Sequence, residues 1–92
     1  MGLGLDSHIV AAPDILSADV DGELVLMDAV SGKYFTFEGV GADIWRALGA
    51  PVSVGALCDR LVGEYDAPEE RIRASTLRFL NDILERHLIK VV

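Results

Sequence analysis

The sequence predicts an α+β fold, a three-stranded antiparallel meander followed by three helices. Three observations carry that prediction. The first half alternates short β-rich runs with turn residues, the dipeptide Asp21-Gly22 above all. From Val40 the apolar spacing becomes helical, with Val40, Ile44, Trp45 and Leu48 on one face. The 92 residues, 51% hydrophobic and 25% charged, suit one globular domain with one core. A chain of this size buries roughly 60–65% of its unfolded surface, which leaves little room for a deep catalytic cavity.

Each element follows in order. Residues 1–13 hold two glycines, a lone His8 and no period, and read as a flexible N-terminal arm; the ordered domain is expected over 14–92. Ile15 to Val20 is the first strand and Glu23 to Asp28 the second, joined by the Asp21-Gly22 hairpin turn. The second run, ELVLMD, is almost continuously apolar, so both its faces should be covered. Ala29 to Gly32 turns the chain again, and Lys33 to Phe37 forms the third strand. The first helix begins near Val40 and ends at Gly49 and Pro51. Ser53 is placed to cap the second, whose stripe is Val54, Leu57, Cys58, Leu61 and Val62. Asp66-Ala67-Pro68-Glu69 has the form of a capping box, so the third helix should run from about Ala67 to His87. Leu88 to Val92 is a β-rich tail expected to lie back on the body.

Several function classes fall away. The net charge of -7, from 15 acidic and 8 basic residues, argues against a phosphate-backbone partner, because Lys and Arg supply most of that affinity. His8 and His87 lie at opposite ends of the chain, and with a single cysteine they make no zinc set. Cys58 sits on an apolar helical stripe and reads as a buried, inert thiol. Gly39-Val40-Gly41 lacks the third glycine and the βαβ setting of a dinucleotide site. No catalytic residues, metal ligands or cofactor are expected. No run approaches the ~20 apolar residues of a membrane span, and no secretory pattern opens the chain, which points to the cytoplasm.

Two features point instead to binding. In a meander of this order the third strand is an edge. The first strand is defended by Pro13, Asp14 and Asp19, whereas Lys33 to Phe37 carries no proline and one charge. Such an edge accepts an extended peptide as an added strand. The third helix has an apolar arc about 180° wide at 100° per residue, where a surface helix needs ~100°. The surplus lines a groove, or is covered by the tail or by a second copy. The candidate site is therefore Lys33, Tyr34, Phe35, Thr36 and Phe37 on the strand, with Leu77, Leu80 and Leu84 as an apolar floor and Arg73 and Asn81 at the rim. Alternation lets only half of the strand residues face the groove, and the sequence leaves the phase open. Neighbouring acidic groups favour a ligand with Lys or Arg.

A meander followed by three helices is winged-helix-like, and particular residues narrow the resemblance. Leu26-Met27-Asp28, Ser31-Gly32-Lys33-Tyr34-Phe35, Phe37, Gly41-Ala42 and Ile44-Trp45, with Arg71-Ile72, Phe79-Leu80 and Leu88-Ile89 later, resemble the PqqD-like family over about residues 14–92. The resemblance implies a recognition element that binds the leader of a ribosomally made precursor peptide, as a strand on the third strand and against the third helix. It is most like the stand-alone members of lasso peptide biosynthesis, whose partners are a leader peptidase and a macrolactam synthetase. The alternative within the family is the precursor chaperone of pyrroloquinoline quinone biosynthesis. Glu38, Ser75 and His87 depart from the family's usual Asn, acidic residue and Gly. The first two bear on which leader is read, and the third on how the last helix is capped. Two rivals stand outside the family. One is a winged-helix DNA-binding protein using Arg71, Arg73 and Arg78, and the other is a plain dimerisation module. A homodimer through the same edge remains open.

Overall fold

The computed structural model describes residues 2–92. In chain order its elements are strands β1 (His8–Ala11), β2 (Ile15–Val20), β3 (Glu23–Asp28) and β4 (Tyr34–Phe37), then helix α1 (Gly39–Arg46) with a 3-10 turn over Ala47–Gly49. Strand β5 (Val52–Ser53), helices α2 (Val54–Glu64) and α3 (Glu69–Glu85), and strand β6 (Ile89–Val91) follow. The strands form two antiparallel sheets, ordered β2-β3-β4 and β5-β1-β6. The α+β expectation, meander first and helices after, holds.

Local chemistry accounts for the meander. Asp21 and Gly22 both take positive φ, 52° and 85°, between the paired residues Val20 and Glu23. Two central residues at positive φ give the primed turn whose twist matches paired strands. At the next turn the Asp28 carboxylate accepts from the backbone N–H of Val30 at 2.9 Å and of Ser31 at 3.3 Å. The Val30 bond holds this carboxyl below its usual value, with burial opposing. Along β3, Leu24 and Leu26 are buried, while Val25 and Met27 are only half-buried. One face of the meander therefore packs on the core and the other stays partly open, where the sequence suggested cover on both.

Residues 1–13 were expected to be an arm, yet they contain β1. Ile9 is fully buried and sits between Val52 of β5 and Val91 of β6. No period announced this strand because its partners are far along the chain and Ile9 is its one fully buried residue. The stretch before it also holds α2: the N–H groups of Val54 and Gly55 donate to the Ser7 and Leu5 carbonyls, and Ala56 N–H donates to Ser53 Oγ. Ser53 thus caps α2 as its sequence implied, and the N-terminal segment satisfies two further orphan donors. The tail lies back on the body by pairing with β1, and leaves β4 untouched.

Helix α3 is shorter than its apolar pattern. Pro68 occupies the N-cap position without a side-chain cap, so the box proposed around Asp66 is not formed. The fixed φ of Pro68 starts the helix two residues later than expected, with Glu69 and Glu70 in a first turn that favours negative charge. At the other end His87 takes the place of the usual glycine and adopts φ 61°. Its N–H donates to the Leu84 carbonyl, and that of Leu88 donates to Ile83, which is the reciprocal pattern of a glycine-type helix stop. A side chain with a Cβ is strained there. His87→Gly is expected to stabilise the fold by about 0.5–1 kcal/mol, the strain relief less glycine's added unfolded-state entropy. Thermal unfolding should rise by a few degrees.

Candidate functional site

The site begins with the hydrogen-bond phase of β4. Asp28 N–H donates to the Lys33 carbonyl at 2.9 Å, and the register continues as Leu26 with Phe35 and Leu24 with Phe37. Bonded and non-bonded pairs alternate in antiparallel ladders. The backbone groups of Phe35 and Phe37 therefore turn to β3, and those of Tyr34 and Thr36 turn to the outer edge. Among the described residues that edge has no partner.

Side-chain phase follows from the same register. Phe35 and Phe37 lie beside the buried Leu26 and Leu24, on the inner face. Tyr34, 68% exposed, and Thr36 lie on the outer face. The opposite wall of the inner face is α3. Phe79 meets Phe37 edge-to-face, with ring centroids 5.2 Å apart and planes at 73°. A Cβ on Gly41 would lie 3.3 Å from the Phe79 ring, so glycine lets α1 start this close to α3. Arg86 stands 5.9 Å from the centre of the Phe35 ring and is held by Asp82 at 3.3 Å.

A cleft thus runs between β4 and one flank of α3. At the Phe35 end it opens into a depression of about 340 Å³ bordered by Asp28, Lys33, Glu85, Arg86 and His87. Beyond Phe37 lies an almost wholly apolar depression of about 180 Å³ whose lining includes Val40, Tyr65, Arg71, Ile72 and Ser75. Tyr65 is anchored there by donating its hydroxyl to Asp43, a bond that raises its pKa.

Of the strand residues expected at the site, Phe35 and Phe37 lie on the inner face toward the cleft, and Tyr34 and Thr36 lie on the outer face. The helix half needs correction. Leu80 is fully buried in the core. Leu77 and Leu84 are half-buried against that core, about 140–160° around the axis from Phe79 at 100° per residue. Asn81 accepts a hydrogen bond from Leu3 N–H at 2.9 Å. Arg73 is tied to Glu69 at 2.5 Å and Asp59 at 3.8 Å, against α2. The surplus of the apolar arc is therefore taken up by α2 and by the N-terminal segment. The cleft uses the other margin of the arc, Phe79 with Arg86. Phe79 was visible as the margin near Ile72, and Gly41, four residues after Phe37, was the signal of a close approach.

Among the described residues no group of three His, Cys, Asp or Glu could hold a metal ion. Cys58 is fully buried, and burial pushes its thiol up despite the opposing Thr76 bond and Arg73 charge. Native protein at pH 8 should leave Cys58 unreacted with a disulfide reagent, and denaturant should release one thiol per chain. Arg73 points away from Arg71 and Arg78, by about 140–160° at 100° per residue, so the three do not form one DNA-reading face. No described helix is long and apolar enough to cross a membrane.

The model of a known family, described as Coenzyme PQQ synthesis protein D (PqqD), matches residues 23–89. Among solved structures, "TbiB1 in Complex with the TbiA(beta) Leader Peptide" superposes with a TM-score of 0.80 at 25% identity, covering 88% of this chain and 94% of that one. "Lasso peptide synthetase B1 complexed with the leader peptide" superposes with a TM-score of 0.79 at 22% identity, covering 89% and 96%. Among curated proteins no sequence matches.

Proposed function

The chain belongs to the PqqD family, and from that premise we propose that it binds the leader segment of a ribosomally made precursor peptide as an added strand on β4. The observation that carries this reading is the unpartnered β4 edge above a cleft floored by Phe35, Phe37 and Phe79. Outward N–H and C=O groups of Tyr34 and Thr36 supply main-chain hydrogen bonds, and alternate side chains of the leader drop against the aromatic floor. The leader-bound neighbour at 25% identity supports the same ligand. Lys33 and Arg86 contact the leader at one end of the cleft.

The domain performs no chemistry in this reading. It holds the precursor beside its processing enzymes in the cytoplasm and raises the local concentration of the segment to be modified. One structural neighbour is named a lasso peptide synthetase B1, and the resemblance to the stand-alone lasso peptide members suggests a leader peptidase and a macrolactam synthetase as those partners. The family description favours a second reading, in which the precursor is that of pyrroloquinoline quinone.

The test is a titration of isotope-labelled protein with the leader of a precursor encoded beside its gene. Amide shifts should concentrate on Tyr34, Thr36 and the Phe79–Arg86 flank, and spare Leu77 and Asn81. Shifts confined elsewhere, or none, would overturn strand addition. Whether the bound precursor is a lasso peptide's or that of the quinone separates the two readings.

A further inference from the structure

Building on strand addition at β4, we infer that the leader is acidic and is selected by Arg71 and Arg78 on the α3 rim, with Lys33 at the opposite end of the cleft. The argument starts from which cations are already engaged. Of the eight Lys and Arg residues, Arg46, Arg60, Arg73 and Arg86 lie in ion pairs. Among the described residues Lys33, Arg71, Arg78 and Lys90 make none. Lys33 and Arg71 line the two depressions of the cleft, and Arg78 shares a helix ridge with Arg71, in a chain whose net charge is -7. Free positive charge is therefore concentrated where the rest of the surface is acidic.

Helix geometry sets the rim. Arg71, Ser75, Arg78 and Asp82 recur at the spacing of one ridge. Arg71 and Ser75 line the apolar depression beyond Phe37, and Asp82 holds the Arg86 that covers Phe35. The ridge thus follows the cleft on its solvent side. Its one acid, Asp82, is already bound to Arg86. Of the acids at the start of α3, Glu69 is bound to Arg73, and Glu70 lies about 100° around the axis from Arg71. At the other end, Lys33 shares its depression with Asp28, whose carboxylate already accepts the Val30 and Ser31 N–H groups, and with Glu85. Near the end of β4 stand two further acids, Glu38 and Glu23, which the β3–β4 register sets opposite it. A peptide carboxylate beside Arg71 and Arg78 meets two uncommitted guanidinium groups, each able to take it in a two-pronged bond. A lysine in that place meets two like charges. This reverses the Lys- or Arg-bearing ligand that the neighbouring acidic groups suggested.

The experiment selects binders for the full chain from a displayed library of random 12-residue peptides, and maps one recovered peptide by amide shifts. Asp and Glu should be enriched over Lys and Arg, with shifts along Tyr34 to Phe37. The double variant Arg71→Gln, Arg78→Gln should lose about tenfold in affinity, and Lys33→Gln less. Lys90→Gln, which alters the one unpaired cation away from the cleft, should change nothing. The wild-type advantage should shrink as salt rises from 50 to 300 mM. Neutral or basic peptides recovered at the same strand would overturn the charge selection and leave strand addition standing. Binders that shift other surfaces would remove both. Equal losses in the double variant and in Lys90→Gln would reduce the effect to bulk charge and overturn it.

Discussion

Thr36→Pro is expected to abolish peptide capture and leave the domain folded. The Thr36 N–H points to the open edge, since the alternation set by Asp28 and Lys33 gives Phe35 and Phe37 the bonds to β3. Proline is tolerated on an edge strand where its missing donor would have faced solvent. The native ladder keeps its bonds, and stability should change by less than about 1 kcal/mol. An incoming strand loses a main-chain bond and meets the pyrrolidine ring where its own backbone must approach. The lost bond alone is worth roughly tenfold in affinity, and the obstruction adds to it. Fluorescence polarisation with a labelled leader, beside a thermal melt, reads both quantities. Phe35→Pro is the contrasting variant. It removes a bond to β3 and should destabilise the fold by about 3 kcal/mol. Unchanged affinity in Thr36→Pro would mean that the ligand does not pair with this edge.

Ile9→Ala should carry the largest cost in stability. Ile9 is fully buried between β5 and β6, and truncating such a side chain to alanine costs about 2–5 kcal/mol. For a domain of this size the melting temperature should fall by roughly 10 °C or more. Chemical denaturation would show the loss as a lower midpoint at unchanged slope. A neutral result would return residues 1–13 to the role of a dispensable arm.

What the sequence made legible was local. Asp21-Gly22 states its turn in two letters, Ser53 states its cap, and the change of period at Val40 marks the passage from sheet to helices. What stayed hidden depends on partners far along the chain. Strand β1 has four residues, and its pairing with β5 and β6 leaves no pattern in a local window. Helix α3 shows the same limit in another form. Its apolar arc was read correctly as too wide for one contact, but an arc does not say which neighbour covers which margin. Leu3 and α2 took the side that Leu77, Asn81 and Leu84 occupy, and the cleft kept Phe79. The phase of β4 was open until the register with Leu24 and Leu26 decided it. The edge itself was legible because it is defined by what Lys33 to Phe37 lacks, proline and a dense run of charge.

The pairing of β1 with β6 has a further consequence. Ile9 lies opposite Val91, and the Val92 N–H donates to the His8 carbonyl at 2.9 Å. The first and last strands of the domain are thus stitched side by side, on a different sheet from the one that carries the open edge. Closely spaced ends allow a domain to be spliced into a loop of another protein without being pulled apart. Grafted into a surface loop of a peptide-modifying enzyme, this unit would enter and leave through one doorway with β4 still unpaired. A single polypeptide could then carry both the grip and the chemistry.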